Sequence, residues 1–176
     1  MVNAFIYIAT LGPSGTDSER AAIYYGNKLG KPYQLDLRRS FDNALQMVRS
    51  QEASFGIVPA AYKAVDDDLF RLHVRNRDLV IVEAFPLATK EMCLGKKPGT
   101  EEIRRVALHP TTDSLCPPGV EKLYIHSKPL CVEAVVKGEA DAAIGSVDVM
   151  RQYGLEIAEG FGEIPMTWEV FRKRTG

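Results

Sequence analysis

The sequence predicts an α/β protein made of two lobes, each built on a mostly parallel sheet that helices cover on both faces. Three observations lead to this fold class. Short apolar runs alternate with segments of helical period, the connections between them are short, and the alternation starts again after the turn at residues 96–99. A chain of 176 residues can bury one core or two smaller ones. The repeat therefore favours two lobes.

The first lobe begins with an apolar strand that runs into a glycine-containing loop and a helix. Gly30 and Pro32 end that helix, because glycine suits a helix stop and proline cannot continue a helix. A second helix follows Ser40, whose hydroxyl is a preferred N-cap. The predicted elements are a strand ending at residue 9, a helix over 18–29, a strand over 32–37, a helix containing 41–48, and strands over 55–58 and 79–85.

Residues 60–77 carry no clear periodicity. Asp66, Asp67 and Asp68 lie in this segment, and a cluster of carboxylates can ligate a cation. Because adjacent side chains do not share one face, a solvated turn is favoured over a cation site.

The second lobe repeats the alternation of strands and helices. Ser127 and Ser146 begin helices that end at Gly138 and Gly154, and Thr100 begins a short helical turn. The predicted strands are 91–94, 106–108, 123–125, 142–144, 155–158 and 167–171.

Polar side chains recur where the predicted strands end. They are Ser14 and Thr16, His109 and Thr111, Ser127, and Ser146. In parallel sheets, ligands bind beyond the carboxyl ends of the strands, where helices begin. Two lobes that each carry such a rim would face one another across a cleft. The alternative is that each residue only caps its own helix.

The loop over residues 10–16 predicts a binding site for an anion. Gly12 and Gly15 allow a tight backbone, and Thr16 with Glu19 has the spacing of a capping box. Backbone N–H groups would point at one spot in front of the helix, where the helix dipole favours a carboxylate or a phosphate. The alternative is an ordinary strand-to-helix turn, since the loop matches neither GxGxxG nor a P-loop.

Composition excludes several classes of protein. The formal charge of −1 gives no reason to expect nucleic acid or an anionic membrane surface as a partner. The first residues lack the basic start of a signal peptide, and no apolar window is long enough to span a bilayer, so we expect a cytoplasmic protein. Cys93, Cys116 and Cys131 are odd in number and widely spaced, which favours reduced thiols and leaves a nucleophilic cysteine as the alternative.

Several motifs together resemble the prephenate dehydratases. Residues 10–16, Thr-Leu-Gly-Pro-Ser-Gly-Thr, are similar to the opening signature of that family, and Gly56-Ile57-Val58-Pro59 is similar to its second motif. His109-Pro110, Ser127, Ala142-Ala143-Ile144 and Tyr153-Gly154-Leu155 follow in the order of the family. The resemblance implies the two-lobed fold of type II periplasmic binding proteins. It implies lobe 1 over residues 1–85, completed by the last strand over 160–176, and lobe 2 over 86–159.

Two departures from the dehydratases resemble instead the prephenate decarboxylases of bacilysin-type antibiotic pathways. Ala61-Tyr62 follows Val58-Pro59, and Thr167-Trp168-Glu169 stands where dehydratases carry Thr-Arg-Phe. The threonine is kept, but an indole replaces a permanently charged guanidinium. This resemblance implies decarboxylation of prephenate with a shift of the ring double bonds, giving a dihydro-4-hydroxyphenylpyruvate. It implies no metal or other cofactor, a dicarboxylate substrate and a homodimer.

For this chemistry we predict Thr167 and His109 as the catalytic residues. Thr167 would orient the substrate, because a hydroxyl is too weak an acid to protonate a ring carbon unaided. His109 would donate the proton, because an imidazole exists in both protonation states near neutral pH. Tyr62 and Glu91 are reserve donors. Lys90 is a basic residue that we expect to lie near the dianionic substrate. The candidate substrate-binding residues are Ser14, Gly15, Thr16, Tyr62, Thr89, Thr111, Ser127, Lys128 and Trp168.

Two other functions remain open on the sequence alone. The first is prephenate dehydratase activity, or a similar reaction on another cyclic dienol or tropone-type acid. The second is a module that binds a ligand without turnover. For decarboxylation, Tyr62 and Trp168 would form an apolar wall around the departing carboxylate. Such a wall would exclude water from the carboxylate, whose charge is lost when CO₂ forms.

Overall fold

A computed structural model describes residues 5–174 of the chain. It has ten strands and five α-helices within that range. The strands are β1 (Ile6–Leu11), β2 (Tyr33–Arg38), β3 (Phe55–Pro59), β4 (Leu79–Pro86), β5 (Glu91–Lys96), β6 (Arg105–Leu108), β7 (Glu121–Tyr124), β8 (Ala142–Ser146), β9 (Glu156–Glu163) and β10 (Thr167–Lys173). The helices are α1 (Asp17–Lys28), α2 (Phe41–Arg49), α3 (Leu69–Arg75), α4 (Lys128–Lys137) and α5 (Val147–Gln152), and a 3₁₀ helix covers Pro110–Leu115. The predicted α/β class is confirmed.

The chain divides into two compact units. The first contains the described residues up to Tyr62, then 67–87, then those from Met166 onward, and the second contains 63–66 and 88–165. These boundaries differ from the predicted ones at residues 63–66, 86–87 and 160–165. The predicted first lobe also included residues 1–4 and 175–176, which lie outside the described range.

The first unit is built on a five-stranded sheet in the order β2-β1-β3-β10-β4. Strand β1 pairs in parallel with β2 and β3, whereas β10 is antiparallel to β3 and β4. Side chains that alternate along the strands fill two cores. One core lies on the α1 side and contains Ile8, Ile57 and Trp168, and the other lies on the side of α2 and α3 and contains Val58 and Phe171.

The second unit has a sheet of the same size, in the order β7-β6-β8-β5-β9. Strand β6 is parallel to β7 and β8, and β5 is antiparallel to β8 and β9. Cys131, Val132 and Val135 of α4 pack against one face of this sheet. Each sheet thus combines two parallel and two antiparallel strand pairs, so the prediction of mostly parallel sheets was wrong. The antiparallel pairs arise because β5, β9 and β10 run opposite to their neighbours.

Local signals account for most helix ends. Thr16 and Ser40 cap α1 and α2 by accepting the backbone N–H groups of Glu19 and Asn43, at 3.2 and 3.1 Å. Gly138 ends α4 in the left-handed conformation at φ 81°. Residues 101–104 form no helical turn, and α3 lies in the segment where no periodicity was seen. None of the helices in the described part of the chain has the length and apolar character needed to cross a bilayer.

Gly56 in β3 is a site where an added methyl group should destabilise the first unit. A Cβ there would lie 2.7 Å from Cδ2 of Leu45 and 3.0 Å from Cγ2 of Val48, both on α2. We expect Gly56→Ala to lower the free energy of unfolding in urea by about 1–3 kcal/mol, because the core must shift to admit the methyl group.

Gly160→Ala is the matched control, since nothing lies within 4 Å of a Cβ at that position in β9. It should change stability by no more than about 0.5 kcal/mol. Equal unfolding midpoints for the two variants would contradict the packing described for β3 and α2.

Candidate active site

The second unit gathers predicted site residues at one edge of its sheet. Strands β6, β7 and β8 are parallel, so their carboxyl ends lie at the same edge. Ile125 extends the pairing of β6 and β7, with its N–H donating to the carbonyl oxygen of Leu108 at 2.9 Å. The residues that follow the three strands are His109 and Thr111, then His126, Ser127 and Lys128, and then Val147 after Ser146. The structure thus brings the second-lobe candidates to one edge.

His109 is held in one tautomer by its neighbour Thr111. The backbone N–H of Thr111 donates to Nδ1 of His109 at 3.2 Å, and the Thr111 hydroxyl oxygen lies 2.7 Å from the same nitrogen. Nδ1 is therefore an acceptor, and the neutral ring carries its proton on Nε2. Burial, followed by the charge of Lys128 and by His126, lowers the pKa of His109 to about 4.

This low pKa corrects the reasoning that made His109 the proton donor. The sequence argument assumed a ring that is present in both protonation states near neutral pH. With a pKa of about 4, the imidazolium is scarce at pH 7, and His109 offers a neutral N–H group instead. His109 is suited to donating a hydrogen bond rather than a proton.

Ser127 begins α4, and its hydroxyl has no partner. The residue is only 6 % exposed, its Oγ is buried, and no group in residues 5–174 forms a hydrogen bond with it. Although Ser127 stands at the N-cap, its side chain does not cap the helix. A buried hydroxyl without a hydrogen-bond partner lowers the stability of the folded protein by about 1–3 kcal/mol. A serine at this position therefore calls for an explanation other than stability. Together with the positive end of the α4 dipole and Lys128, it forms a candidate site for an anion.

The loop before α1 does not offer the open anion site that the sequence predicted. The Glu19 carboxylate takes that position itself: it accepts the hydroxyl of Ser14 at 2.8 Å and the backbone N–H of Gly15 at 2.6 Å. Thr16 caps the helix and donates its hydroxyl to the carbonyl oxygen of Leu11 at 3.3 Å. A substrate carboxylate at Ser14, Gly15 and Thr16 would meet the charge of Glu19, so these substrate-binding assignments are not supported.

Thr167 is exposed at the first position of β10. Its carbonyl oxygen accepts the backbone N–H of Ala60 at 2.9 Å, which fixes the start of the strand beside the end of β3. Thr167 thus lies where an internal strand of the first sheet begins, between β3 and β4. This placement is compatible with the orienting role predicted for Thr167.

Trp168 is a core residue, and the predicted wall around a departing carboxylate does not match its position. The residue is 1 % exposed and packs on the α1 side of the sheet with Ile8, Tyr25 and Phe85. Its indole N–H donates to the carbonyl oxygen of Leu87 at 2.9 Å. Because alternate residues of a strand face opposite sides, Trp168 points away from the side that Thr167 and Glu169 share.

Tyr62 is also committed to other contacts. Its hydroxyl donates to Asp67 at 3.0 Å, and its ring packs edge-on against Phe41. Burial and this hydrogen bond raise the pKa of Tyr62 far above its usual value, so it is a poor proton donor. Asp67 in turn accepts two N–H groups of Arg75, which also pairs with Asp42. Tyr62 and Asp67 thus belong to a network that fixes α3 against α2.

Thr89 is structural as well. The residue is 2 % exposed, and its hydroxyl donates to the carbonyl oxygen of Lys90 at 2.8 Å. The Thr89 hydroxyl oxygen also accepts the backbone N–H of Ile164 at 3.0 Å. The predicted contact between Thr89 and substrate therefore has no free hydroxyl to use. Lys90 pairs with Asp148 at 2.8 Å.

Sequence reasoning missed a pair of titratable side chains in the first unit. Oε2 of Glu169 lies 3.0 Å from Nε2 of His73, and the two side chains are 16 % and 33 % exposed. His73 lies on α3, so its position could not be read from a segment without periodicity. The presence of Glu169 two residues after Thr167 was the available signal.

Cys93 and Cys131 do not provide a nucleophile. Burial raises the pKa of Cys93 to about 11 and that of Cys131 to about 12. The Cys131 thiol donates to the carbonyl oxygen of Ser127 at 3.2 Å. Protonated, buried thiols of this kind are unreactive.

Two mixed sheets in two units, with polar side chains at the strand ends, define an α/β protein of the periplasmic-binding-protein type. A model of the prephenate dehydratase family matches residues 8–161. The chain belongs to the prephenate dehydratase family, and this membership makes it an enzyme of the lyase class.

Relatives with assigned names are similar to nearly the whole chain. Prephenate decarboxylases from Bacillus subtilis and Bacillus amyloliquefaciens are 27 % and 26 % identical over 186 aligned positions, which cover 98 % of this chain and 89 % of each relative. The resemblance to prephenate decarboxylases noted in the sequence is thus confirmed.

Solved structures agree on the fold. A prephenate dehydratase from Arthrobacter aurescens, in complex with L-Phe, has a TM-score of 0.67 at 19 % identity over 97 % of this chain. The chain spans 61 % of the length of that dehydratase. The periplasmic VFT2 domain of BvgS from Bordetella pertussis has a TM-score of 0.62 at 14 % identity, covering 97 % of this chain and 81 % of the domain. The predicted fold type is confirmed by these likenesses.

Proposed function

We propose that the protein decarboxylates prephenate and keeps the ring hydroxyl, giving a dihydro-4-hydroxyphenylpyruvate. The observation that carries this proposal is the similarity of 98 % of the chain to prephenate decarboxylases.

The reaction has a simple balance. The bond between the ring and its carboxylate breaks, and CO₂ leaves. The electron pair of that bond becomes a new ring double bond, and the displaced pair of the neighbouring double bond takes up a proton. A dianion and one proton therefore give CO₂ and a monoanion. The protein must bind negative charge, remove water from the carboxylate that is lost and deliver one proton to carbon.

For the second unit, we propose that a substrate carboxylate binds at the start of α4. The unpartnered hydroxyl of Ser127 would donate to it, and the positive end of the helix dipole and Lys128 would stabilise its charge. The neutral ring of His109 can donate from Nε2, since Nδ1 already accepts from Thr111. This assignment keeps His109, Thr111, Ser127 and Lys128 as candidate binding residues.

For the first unit, we propose that the Thr167 hydroxyl orients the reacting ring. It is an exposed polar group on a strand whose backbone is paired on both sides. Trp168 supports this position indirectly, because its buried ring and its hydrogen bond to Leu87 anchor the start of the strand.

Prephenate dehydration is the second candidate, and the family match favours it. Dehydration needs an acid aimed at the departing ring hydroxyl. His109 is a weak candidate for that acid near pH 7, because its pKa of about 4 leaves little imidazolium. Both reactions release CO₂, so CO₂ alone does not separate them.

Turnover of prephenate is the first test. Purified protein and prephenate should give CO₂ and loss of substrate at a rate proportional to enzyme concentration. Tight binding of prephenate with no CO₂ would contradict the proposal and favour a module that only binds. A role in antibiotic biosynthesis and a homodimer remain predictions of the resemblance, and a cytoplasmic location remains a prediction from the sequence.

Ser127→Ala should separate binding from stability. We expect the KM for prephenate to rise roughly 10- to 100-fold, because a hydrogen bond to a charged group contributes about 1.5–3 kcal/mol. The free energy of unfolding should stay the same or increase, since the variant removes an unsatisfied buried hydroxyl. Kinetics and urea unfolding measure the two effects.

Ser40→Ala is the control, because the Ser40 hydroxyl does cap its helix, accepting the N–H of Asn43 at 3.1 Å. It should lose about 1 kcal/mol of stability with KM unchanged. An unchanged KM for prephenate in Ser127→Ala would contradict the proposal that a substrate carboxylate binds at the start of α4.

A further inference from the structure

The proposed reaction consumes one proton per turnover, and two of the donors predicted from sequence, His109 and Tyr62, cannot supply it well. The third, Glu91, is exposed at the first position of β5. His109 has a pKa of about 4. Burial and a hydrogen bond raise the pKa of Tyr62, and its proton is already donated to Asp67. Hydrogen bonds from Arg75, followed by smaller contributions, lower the pKa of Asp67, so this carboxyl group is ionised. A different acid is needed.

Glu169 and His73 form a partly buried pair of titratable side chains, and Glu169 lies two residues after Thr167 in β10. Oε2 of Glu169 lies 3.0 Å from Nε2 of His73, and the Glu169 side chain is 16 % exposed. Although His73 lies at this distance, no described group, His73 included, forms a hydrogen bond with this oxygen. Burying a carboxyl group is costly unless it is paired or protonated, so this arrangement calls for a function.

The pair lies on the same face of the sheet as the Thr167 hydroxyl. Thr167 and Glu169 are two residues apart on β10, and residues at this spacing share one face of a strand. The rise along a strand places their Cα atoms roughly 7 Å apart. Trp168 and Val170 between and beyond them fill the opposite core. His73 reaches this face from α3.

We propose that the Glu169–His73 pair supplies the proton that the ring carbon receives, and that it does so through the hydroxyl of Thr167; this inference rests on the proposed function. Thr167 gives its hydroxyl proton to carbon and takes the proton of the Glu169 carboxyl group. Glu169 is then a carboxylate, which takes the Nε2 proton of a neutral His73 ring as the ring takes up a proton at its other nitrogen. His73 is one-third exposed and recovers a proton from solvent. Each turnover thus moves one proton from solvent to carbon.

The chemistry explains why the pair is useful. A hydroxyl alone is too weak an acid for a ring carbon, and a carboxyl group behind it provides the driving force. An imidazole can return the proton near neutral pH. Glu169 stands where dehydratases carry a phenylalanine, two residues after the threonine. In this proposal, that glutamate directs the proton to carbon.

The test compares Glu169→Gln and His73→Gln with the wild-type enzyme on prephenate. We expect Glu169→Gln to lower kcat roughly 100-fold, the order of a lost general acid, with KM changed less than about threefold. His73→Gln should lower kcat to a smaller extent, and Glu169→Asp should recover part of the loss. A merely structural role would change stability or KM and would not give this split.

Asp78→Asn is the matched control, because Asp78 pairs with Lys173 at the other end of β10, at 2.9 Å. Its kcat should equal that of the wild type. If Glu169→Gln does not fold, His73→Gln decides: an unchanged kcat overturns the inference, and a kcat lowered about tenfold or more at constant KM supports it.

The outcomes separate the two proposals. Wild-type protein that releases no CO₂ from prephenate overturns the proposed function and this inference with it. Active wild-type protein with Glu169→Gln and His73→Gln variants of equal kcat overturns only the inference.

Discussion

Replacing Thr167 with valine is expected to lower kcat for prephenate by roughly 10²–10³-fold, the effect of removing one well-placed hydrogen-bond donor from an active site. Valine keeps the shape of threonine and suits a strand, so the fold should be preserved. The hydroxyl is exposed at the start of β10 on a backbone fixed by the hydrogen bond from Ala60. Steady-state kinetics with prephenate measure the effect.

Thr167→Ser is the control for this prediction. It keeps the hydroxyl and should retain activity within about tenfold of the wild type, since only a methyl group is removed. Thr167→Val with wild-type kcat and an unchanged urea midpoint would show that the Thr167 hydroxyl has no part in the reaction.

The second prediction concerns the stability of the second unit as a function of pH. His109 has a folded-state pKa of about 4, below the ordinary value of 6.5. Between these values the unfolded chain binds a proton that the folded chain does not, so the free energy of unfolding falls as the pH is lowered from 6.5 to 4. The loss from this residue is at most about 3 kcal/mol, and it vanishes above pH 7.

Urea unfolding of the wild type and of His109→Gln between pH 4 and pH 8 measures this contribution. The difference in stability between the two should change across the interval from pH 6.5 to 4 and stay constant above it. His126→Gln is the control, because its side chain is exposed at the same edge of the sheet. Parallel stability curves for wild type and His109→Gln would contradict the buried, neutral state of His109.

Features with local causes could be predicted from the sequence. Thr16 and Ser40 are preferred N-cap residues and marked the starts of α1 and α2. In the structure each hydroxyl accepts the backbone N–H three residues further along the chain. Gly138 marked the end of α4, because glycine readily adopts the left-handed conformation that it has there. Alternating strands and helices gave the α/β class. These signals depend only on neighbouring residues, so no knowledge of tertiary contacts was needed.

The candidate site depended on tertiary contacts, and there the sequence was less informative. Trp168 was placed at the substrate, but the strand directs its ring into the core on the α1 side. The direction of a single strand residue cannot be read from composition. Because the ring faces away from Thr167, the tryptophan at position 168 does not by itself separate decarboxylation from dehydration.

The charges of the site residues also could not be predicted from the sequence. Glu19 has the spacing of a capping box, and its carboxylate fills the place proposed for a ligand. Burial, followed by the charge of Lys128, lowers the pKa of His109, and neither influence follows from the His-Pro motif. His73 joins Glu169 only because α3 folds onto the sheet. In each case a distant segment decides what a residue can do.

The chemical identity of the product tests the central claim most directly. Purified wild-type protein is incubated with prephenate, and the product is recorded by proton NMR without further treatment. We expect a non-aromatic product that keeps the proton on the hydroxyl-bearing ring carbon, together with CO₂. Phenylpyruvate with aromatic ring signals would contradict the account, because the ring hydroxyl would then have left as water.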